Sequence, residues 1–147
     1  MNDSARKIDL LLVEDNIDEA RLTVRALAAE QITNDIYWVK DGQEARDFLL
    51  AKGQYTSRDS RESPKLILLD LELPNITGLE LVKIIKSNPD TQTIPVVVLT
   101  SYSENQYLHE CYRLGVNSYI VKPVSFQQFL KMAKKIGYYW MSINQTA

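Results

Sequence analysis

Several features that mark other protein classes are scarce in this 147-residue sequence. It has one cysteine, Cys111, so it cannot form an internal disulfide. No apolar run approaches the roughly 18 residues that would suggest a membrane span, and the charged segment 1–7 lacks the apolar core of a signal peptide. Internal repeats and low-complexity tracts are also absent. We therefore expect a cytoplasmic protein with no membrane partner.

Neither sign of charge predominates in the sequence. The chain has 17 Lys and Arg against 19 Asp and Glu, a formal net charge of −2. This balance does not favour association with nucleic acid. The length suits one domain, which we expect to span 1–147 with a core of about 8–141 and short tails at 1–7 and 142–147.

Short apolar runs alternate with longer amphipathic segments. A cap residue followed three positions later by Glu or Gln precedes each of five predicted helices, at Asn16, Asp41, Thr77, Ser101 and Ser125, with Ser103 as a competing start for the fourth. The predicted strands are Ile8–Val13, Ile36–Val39, the stretch from Lys65 to Pro74, Ile94–Leu99 and Ser118–Val121. The predicted helices are Ile17–Ala29, a segment from Asp41 to about Leu50, Gly78–Ser87, about Glu104–Leu114, and Ser125 to beyond Trp140. The segment 53–64 lacks apolar periodicity and is predicted to be a solvated loop.

Repeated strand-helix units favour an α/β fold, a doubly wound parallel sheet with helices on both faces. For five strands the common order is 2-1-3-4-5, and function is expected where the chain reverses direction between strands one and three. The carboxyl ends of these two strands lie side by side. The fold therefore predicts that Glu14 and Asp15 lie beside Asp70.

Three carboxylates at one sheet edge repel one another unless a cation is present. Oxygen ligands suit Mg²⁺, and neither histidine nor cysteine stands nearby to suggest zinc. The single histidine, His109, is expected at the surface, and Cys111 in the core. Asp70 taken alone also fits a residue that only caps a turn.

The ends of strands four and five supply groups of a different kind. Strand four ends at Thr100 and Ser101, and strand five at Lys122, followed by Pro123. Taken singly, the hydroxyls could be helix caps and the lysine could be solvated. Together with the acids they predict a site for an oxyanion held by Mg²⁺ and Lys122, with a carboxylate nucleophile beside it.

Four segments in this order resemble the receiver domain of two-component response regulators. They are Leu11–Asn16, Leu68–Pro74 with Gly78, Val96–Ser101 and Gly115–Pro123. The resemblance extends from about Ile8 to Ile136 and implies a flavodoxin-like, CheY-like fold. A narrower similarity, in the loop 53–64, the 94–101 run, Asn117 and the last helix, is to stand-alone regulators of cyanobacterial phytochrome histidine kinases.

The resemblance implies a role for each site residue. Asp70 would accept a phosphoryl group from a histidine kinase, and Asp15, Asp70 and the backbone carbonyl of Glu72 would ligate Mg²⁺. Glu14 would act through water or from outside the coordination sphere. Thr100 and Lys122 would each bind a phosphoryl oxygen. A cis peptide bond is expected before Pro123.

The resemblance also implies how phosphorylation of Asp70 would change the surface that a partner binds. Thr100 would move toward the phosphoryl group and Tyr119 would swing inward, unless Tyr119 is a fixed core residue. The change would be read on the face formed by helix four, strand five and helix five, which is also the surface of a possible homodimer. Such a protein signals to an unknown downstream partner, and we do not expect it to be an enzyme.

Two other protein classes use part of this pattern. A haloacid dehalogenase phosphatase also has an aspartate at a strand end, but it requires a threonine where Pro74 stands. A flavodoxin requires a phosphate-binding loop after strand one, where Glu14 and Asp15 would repel the phosphate. The sequence therefore favours the receiver.

Overall fold

The structure, a computed structural model, describes residues 9–31, 35–59, 61–101, 105–122 and 125–146. Within these ranges the chain forms five strands that alternate with five α helices. The strands are β1 (Leu10–Val13), β2 (Ile36–Val39), β3 (Leu66–Asp70), β4 (Val96–Thr100) and β5 (Ser118–Val121). The helices are α1 (Ile17–Ala29), α2 (Gly42–Leu50), α3 (Gly78–Ser87), α4 (Asn105–Arg113) and α5 (Phe126–Thr146), and a short 3₁₀ helix (Gly53–Tyr55) follows α2.

The five strands form one parallel sheet in the order β2-β1-β3-β4-β5. This confirms the predicted flavodoxin-like topology. Val13 at the end of β1 lies opposite Val39 on one side and Leu69 on the other. The chain thus reverses its direction across the sheet between β1 and β3, the position at which folds of this kind bind ligands.

Two apolar layers enclose the sheet, because alternate residues of each strand point to opposite faces. Leu11, Ile67 and Val98 belong to the layer that α2, α3 and α4 cover, and Leu12, Leu68 and Leu99 to the layer beneath α1 and α5. Every residue of β1, β3 and β4 is buried. The central strands therefore have the unbroken apolar character expected of a parallel sheet.

Four of the five predicted helix caps form in the described residues. Asn16, Asp41, Thr77 and Ser125 each accept the backbone N–H of the residue three positions later, at 2.9, 2.7, 3.2 and 3.3 Å. Each bond satisfies one of the N–H groups that the first helical turn leaves without a partner. The fifth pair, Ser101 with Glu104, and the competing Ser103 involve positions outside the described residues.

The predicted fourth strand is displaced by its proline. Pro95 has no N–H for the ladder, and the N–H of Ile94 donates to Thr91 within a turn, at 3.0 Å. The strand therefore begins at Val96, two residues after the predicted start, and extends to Thr100. β1 begins at Leu10, because Asp9 forms a bend, and the predicted start at Ile8 lies outside the described residues.

The segment after α2 is more ordered than the predicted solvated loop. The Tyr55 hydroxyl hydrogen-bonds to the Tyr37 hydroxyl at 2.8 Å and donates to Glu44 at 2.7 Å. The Arg58 guanidinium lies 3.7 Å from the centroid of the Phe48 ring and donates to the Phe48 carbonyl. Burial lowers the pKa of Arg58 and raises that of Tyr55. Two side chains therefore dock this loop on α2 and β2.

The last helix buries a wide face against the sheet. Phe129, Ala133 and Ile136 are buried, and Met132 is buried as well. Met132 lies one turn after Phe129, so the buried face is wider than one stripe, and its unbranched side chain fits an irregular gap. Tyr138 is 76% exposed. In the described ranges, no helix is both long and apolar enough to span a bilayer.

Helix α3 begins in close contact with the end of β3. A Cβ atom added at Gly78 would lie 2.5 Å from Leu71 Cα and 2.8 Å from the Asp70 carbonyl oxygen, closer than atoms without a bond can approach. The Gly78 N–H also donates to the Leu71 carbonyl at 3.1 Å. The close approach therefore requires glycine at this position.

Candidate functional site

The register of the sheet brings the predicted site residues to one edge. Val13 pairs with Leu69, so Glu14 and Asp70 follow at neighbouring strand ends. Thr100 pairs with Val121 at the ends of β4 and β5, and the Lys122 N–H donates to the Thr100 carbonyl at 2.7 Å. Backbone pairing thus fixes the spacing of the acids, the hydroxyl and the lysine.

Glu14, Asp15 and Asp70 form the predicted cluster of acids. One carboxylate oxygen from each lies within 4.8 Å of the others, with Glu14 and Asp70 buried and Asp15 exposed. The Asn16 N–H donates to Glu14 Oε2 at 3.2 Å and orients that side chain. Three carboxylate oxygens at this spacing fit a hard divalent cation open to solvent on the Asp15 side.

Lys122 is the cation that balances these acids in the structure. Its Nζ lies 2.9 Å from Asp70 Oδ2 and 3.1 Å from Glu14 Oε1, and the lysine side chain is 9% exposed. A buried carboxylate is stable only with such a partner. The prediction that Lys122 faces the acids therefore agrees with the geometry, and the solvated alternative does not.

The two buried acids and the lysine shift one another's pKa. Burial and the neighbouring Asp70 carboxyl raise the pKa of Glu14 to about 8, against the opposing charge of Lys122. For Lys122, burial lowers the pKa, but hydrogen bonds to Glu19 and Asp70 and the charges of Asp70 and Glu14 outweigh it, so the pKa lies above its ordinary value. Lys122 is therefore charged throughout the physiological range.

Glu72 joins the ends of β3 and β4. Its N–H donates to Asp70 Oδ1 at 2.9 Å, and its own carboxylate accepts the Ser101 N–H at 2.9 Å. Burial opposes ionisation of Glu72, yet the bonds from Ser101 and the charge of Lys122 keep its pKa below the usual value. The sequence analysis placed the Glu72 backbone carbonyl at the metal, and it did not predict the contact of the Glu72 side chain with the Ser101 N–H.

The remaining predicted residues lie around this centre. Thr100 is fully buried at the end of β4, and Tyr119 is half-buried on β5 against the layer that α2, α3 and α4 cover. Pro123 and its peptide bond lie outside the described residues. His109 is exposed and Cys111 is fully buried, as predicted, and burial raises the pKa of the Cys111 thiol to about 11.

Two residues that contact the site were not predicted to do so. Glu19 Oε2 in the first turn of α1 lies 2.5 Å from Lys122 Nζ, and the Trp38 indole N–H on β2 donates to the Glu14 carbonyl at 2.7 Å. The sequence identified Glu19 only as the partner of the Asn16 cap. Its position in the first turn of the helix that directly follows Glu14 and Asp15 was the available signal that it lies near the same edge.

Comparison with known proteins assigns the family. Residues 10–134 match the response regulator receiver domain. The chain belongs to this family. Receiver domains are signalling modules that accept phosphoryl groups from histidine kinases, which agrees with the edge of acids, hydroxyl and lysine.

Two known regulatory proteins are similar to this receiver over most of its length. The probable methanogenesis regulatory protein FilR2 of Methanothrix harundinacea (strain 6Ac) is 38% identical over 138 residues, 93% of this chain and 86% of that protein. The response regulator Rcp1 of Synechocystis sp. is 37% identical over 90% of this chain and 88% of its own.

Solved structures of such regulators share the fold. The Mn²⁺-bound form of Rcp1 has a TM-score of 0.81 at 37% identity, covering 92% of this chain and 94% of its own. The phosphorylated cyanobacterial phytochrome response regulator RcpA has a TM-score of 0.83 at 37% identity, covering 93% and 96%. This receiver is therefore related to phytochrome response regulators, and its acidic cluster suggests divalent metal binding.

Proposed function

We propose that Asp70 is the phosphoacceptor of this receiver and that Mg²⁺ is its metal. The observation that carries the proposal is the placement of Asp70, which is 1% exposed at the end of β3 with one carboxylate oxygen 2.9 Å from Lys122 Nζ. The other oxygen accepts the Glu72 N–H at 2.9 Å. Both oxygens are thus held in fixed directions, which favours attack on a phosphorus atom brought to this edge.

In the proposed transfer, a carboxylate oxygen of Asp70 forms a bond to the phosphorus of a phosphohistidine. The bond from phosphorus to the imidazole nitrogen breaks, and its electron pair stays on that nitrogen. Lys122 donates to one phosphoryl oxygen and the Thr100 hydroxyl to another, which neutralises and orients the group.

Asp15, Asp70 and the Glu72 carbonyl would hold Mg²⁺, with Glu14 acting through water or from outside the coordination sphere. The metal, when bound, supplies positive charge to the phosphoryl oxygens. Support for this assignment comes from the three carboxylate oxygens within 4.8 Å of one another and from the hard oxygen donor set.

In the proposed signalling, phosphorylation changes the structure around Asp70, and this change alters a surface elsewhere on the protein. A phosphoryl group adds charge and three acceptor oxygens beside Thr100, and movement of Thr100 would leave space for Tyr119. The surface of α4, β5 and α5 would then change its packing. On this face Val121 and Tyr112 are about half exposed and Tyr138 is 76% exposed, which supports the proposal of a homodimer through it.

Labelling with acetyl phosphate tests the phosphoacceptor. The protein should incorporate label only with Mg²⁺, as an alkali-labile acyl phosphate, and Asp70→Asn should abolish it. Asp90→Asn, an exposed aspartate after α3, is the matched control and should label normally. Label that persists in Asp70→Asn would overturn the assignment.

The proposed kinase is of the phytochrome type, because Rcp1 and RcpA are similar to this chain over nine-tenths of its length. The alternative is a kinase without a phytochrome, since FilR2 is equally similar and its name points to another pathway. Phosphotransfer rates from one kinase of each type decide between them. Faster transfer from the second kinase would refute the phytochrome assignment.

Sedimentation velocity tests the homodimer. We expect the phosphorylated protein to form dimers at tens of micromolar and Tyr138→Lys to weaken them. A monomer at that concentration, both with and without phosphorylation, would refute the proposal.

A further inference from the structure

The Lys122 ammonium is fully engaged before any phosphoryl group arrives. An ammonium has three N–H donors, and three carboxylates surround this one: Glu19 at 2.5 Å, Asp70 at 2.9 Å and Glu14 at 3.1 Å. A phosphoryl oxygen can therefore accept from Lys122 only if one of these carboxylates gives up its bond. The identity of that carboxylate affects how tightly the site holds the phosphoryl group.

Burial distinguishes the three partners. The side chains of Glu14 and Asp70 are 2% and 1% exposed, so water cannot replace their bonds to the lysine. The Glu19 side chain is 35% exposed. Loss of the Glu19 bond to Lys122 is compensated by hydration. Glu14 has no water to replace the lysine, and Asp70 stays beside the lysine because it carries the phosphoryl group in the proposed function.

The backbone of Glu19 is fixed although its carboxylate is accessible. Its N–H donates to the Asn16 cap at 2.9 Å, and its carbonyl accepts the Thr23 hydroxyl at 2.9 Å. The first turn of α1 therefore presents the carboxylate to Lys122 without moving itself. The side chain alone can swing toward water and back.

We propose that Glu19 is a positioning residue that holds Lys122 in the unphosphorylated state and competes with the phosphoryl group for it. This inference rests on the proposed function. Phosphorylation would exchange the Glu19–Lys122 bond for a bond from Lys122 to a phosphoryl oxygen, and Glu19 would become hydrated. The contact thus limits the affinity of the site for a phosphoryl group.

Binding of beryllofluoride, a stable analogue of the phosphoryl group, tests the proposal in the full chain. With saturating Mg²⁺, ¹⁹F NMR gives the bound fraction directly. Glu19→Gln retains the shape of the side chain and removes the competing charge, so beryllofluoride should bind roughly three- to tenfold more tightly. Equal or weaker binding by Glu19→Gln would overturn the proposal.

The chain contains a matched control. Glu80 has the same position in α3 that Glu19 has in α1, since its N–H donates to the Thr77 cap, and it is exposed. Glu80→Gln therefore removes the same charge from a helix start that does not contact Lys122, and it should change beryllofluoride affinity less than twofold. An equal gain in Glu80→Gln would show a general charge effect and refute competition.

Two further measurements distinguish direct competition of Glu19 for Lys122 from a general electrostatic effect of the Glu19 charge. In a Lys122→Met background, Glu19→Gln should no longer tighten beryllofluoride binding, and a gain that persists there would contradict the proposal. Mg²⁺ affinity without beryllofluoride is measured in Glu19→Gln as well, and it should be unchanged or weaker, because a negative charge near the metal is lost. A gain in Mg²⁺ affinity equal to the gain in beryllofluoride affinity would overturn the proposal that Glu19 competes for Lys122. A wild-type protein that binds no beryllofluoride would instead refute the proposed function.

Discussion

Replacement of Lys122 by methionine tests whether this lysine holds the site together. Methionine has a similar length and no charge, so the substitution leaves Glu14 and Asp70 facing each other without a cation. Their side chains are 2% and 1% exposed, and both lie within 3.1 Å of the lysine nitrogen. The expected effect is a large loss of stability in the metal-free protein.

The magnitude follows from the burial of the pair. Removing one partner of a buried ion pair costs about 3–5 kcal/mol. Part of this cost is avoided because Glu14, with a pKa raised to about 8, can take up a proton and lose its charge. We therefore expect Lys122→Met to lower the free energy of unfolding by about 2–4 kcal/mol at pH 8 and by less at pH 5.5.

Urea unfolding at both pH values, with and without Mg²⁺, measures the effect. Saturating Mg²⁺ should restore much of the lost stability, because it supplies positive charge to the same carboxylates and binds only the folded state. Lys83→Met, at an exposed lysine on α3, is the control and should change stability by less than about 0.5 kcal/mol. If Lys122→Met behaved like Lys83→Met at pH 8 without metal, the electrostatic reasoning would be wrong.

Three further predictions concern the metal site and the docked loop. The pKa of Glu14, about 8, lies above its unfolded value, so its contribution to metal-free stability is complete below about pH 4.3 and is lost as the pH rises to about 8. Mg²⁺ binding at pH 7 should accordingly release a proton from Glu14. Calorimetry in buffers of different ionisation heat measures this release and should find none at pH 9.5, where Glu14 is already ionised. If no proton is released at pH 7, the raised pKa of Glu14 would be contradicted. Trp38→Phe removes the 2.7 Å hydrogen bond from the indole N–H to the Glu14 carbonyl. It should weaken Mg²⁺ binding, measured by titration, roughly three- to tenfold, or about 1 kcal/mol. An unchanged affinity would show that the bond does not position Glu14. Arg58→Ala should destabilise the protein by about 1 kcal/mol and speed amide exchange in 53–59, because it removes the contact with the Phe48 ring. Arg61→Ala, at an 80% exposed side chain, is the control and should do neither. Equal effects of the two substitutions would exclude specific docking by Arg58.

The topology could be predicted from the sequence because each strand carries its own signal. β3 is an unbroken apolar run that ends in an aspartate, and the caps at Asn16, Asp41 and Thr77 mark helix starts independently of hydrophobicity. Once the strand order is known, parallel pairing brings the strand ends together. The neighbourhood of Asp70 and Lys122 thus follows from the backbone alone.

The contacts that the sequence did not reveal depend on side-chain direction. Glu19 and Trp38 reach the site from α1 and β2, and each fits an ordinary role, a helix start and a strand residue, in the sequence. Arg58 packs on Phe48 from a segment without periodicity, so no pattern indicates its contact. The burial of Met132 depends on the width of the groove that α5 fills.

The tight contact at Gly78 makes the backbone beneath the site rigid. The end of β3 cannot shift toward α3, because Leu71 Cα and the Asp70 carbonyl already occupy the space in which a Cβ atom would stand. The same strand end is tied to β4 by the hydrogen bond from the Leu71 N–H to the Leu99 carbonyl and by the bond from the Ser101 N–H to the Glu72 carboxylate. Under the proposed function, a group added to Asp70 must therefore be accommodated by the side chains around it, because the main chain that carries Asp70 cannot retreat.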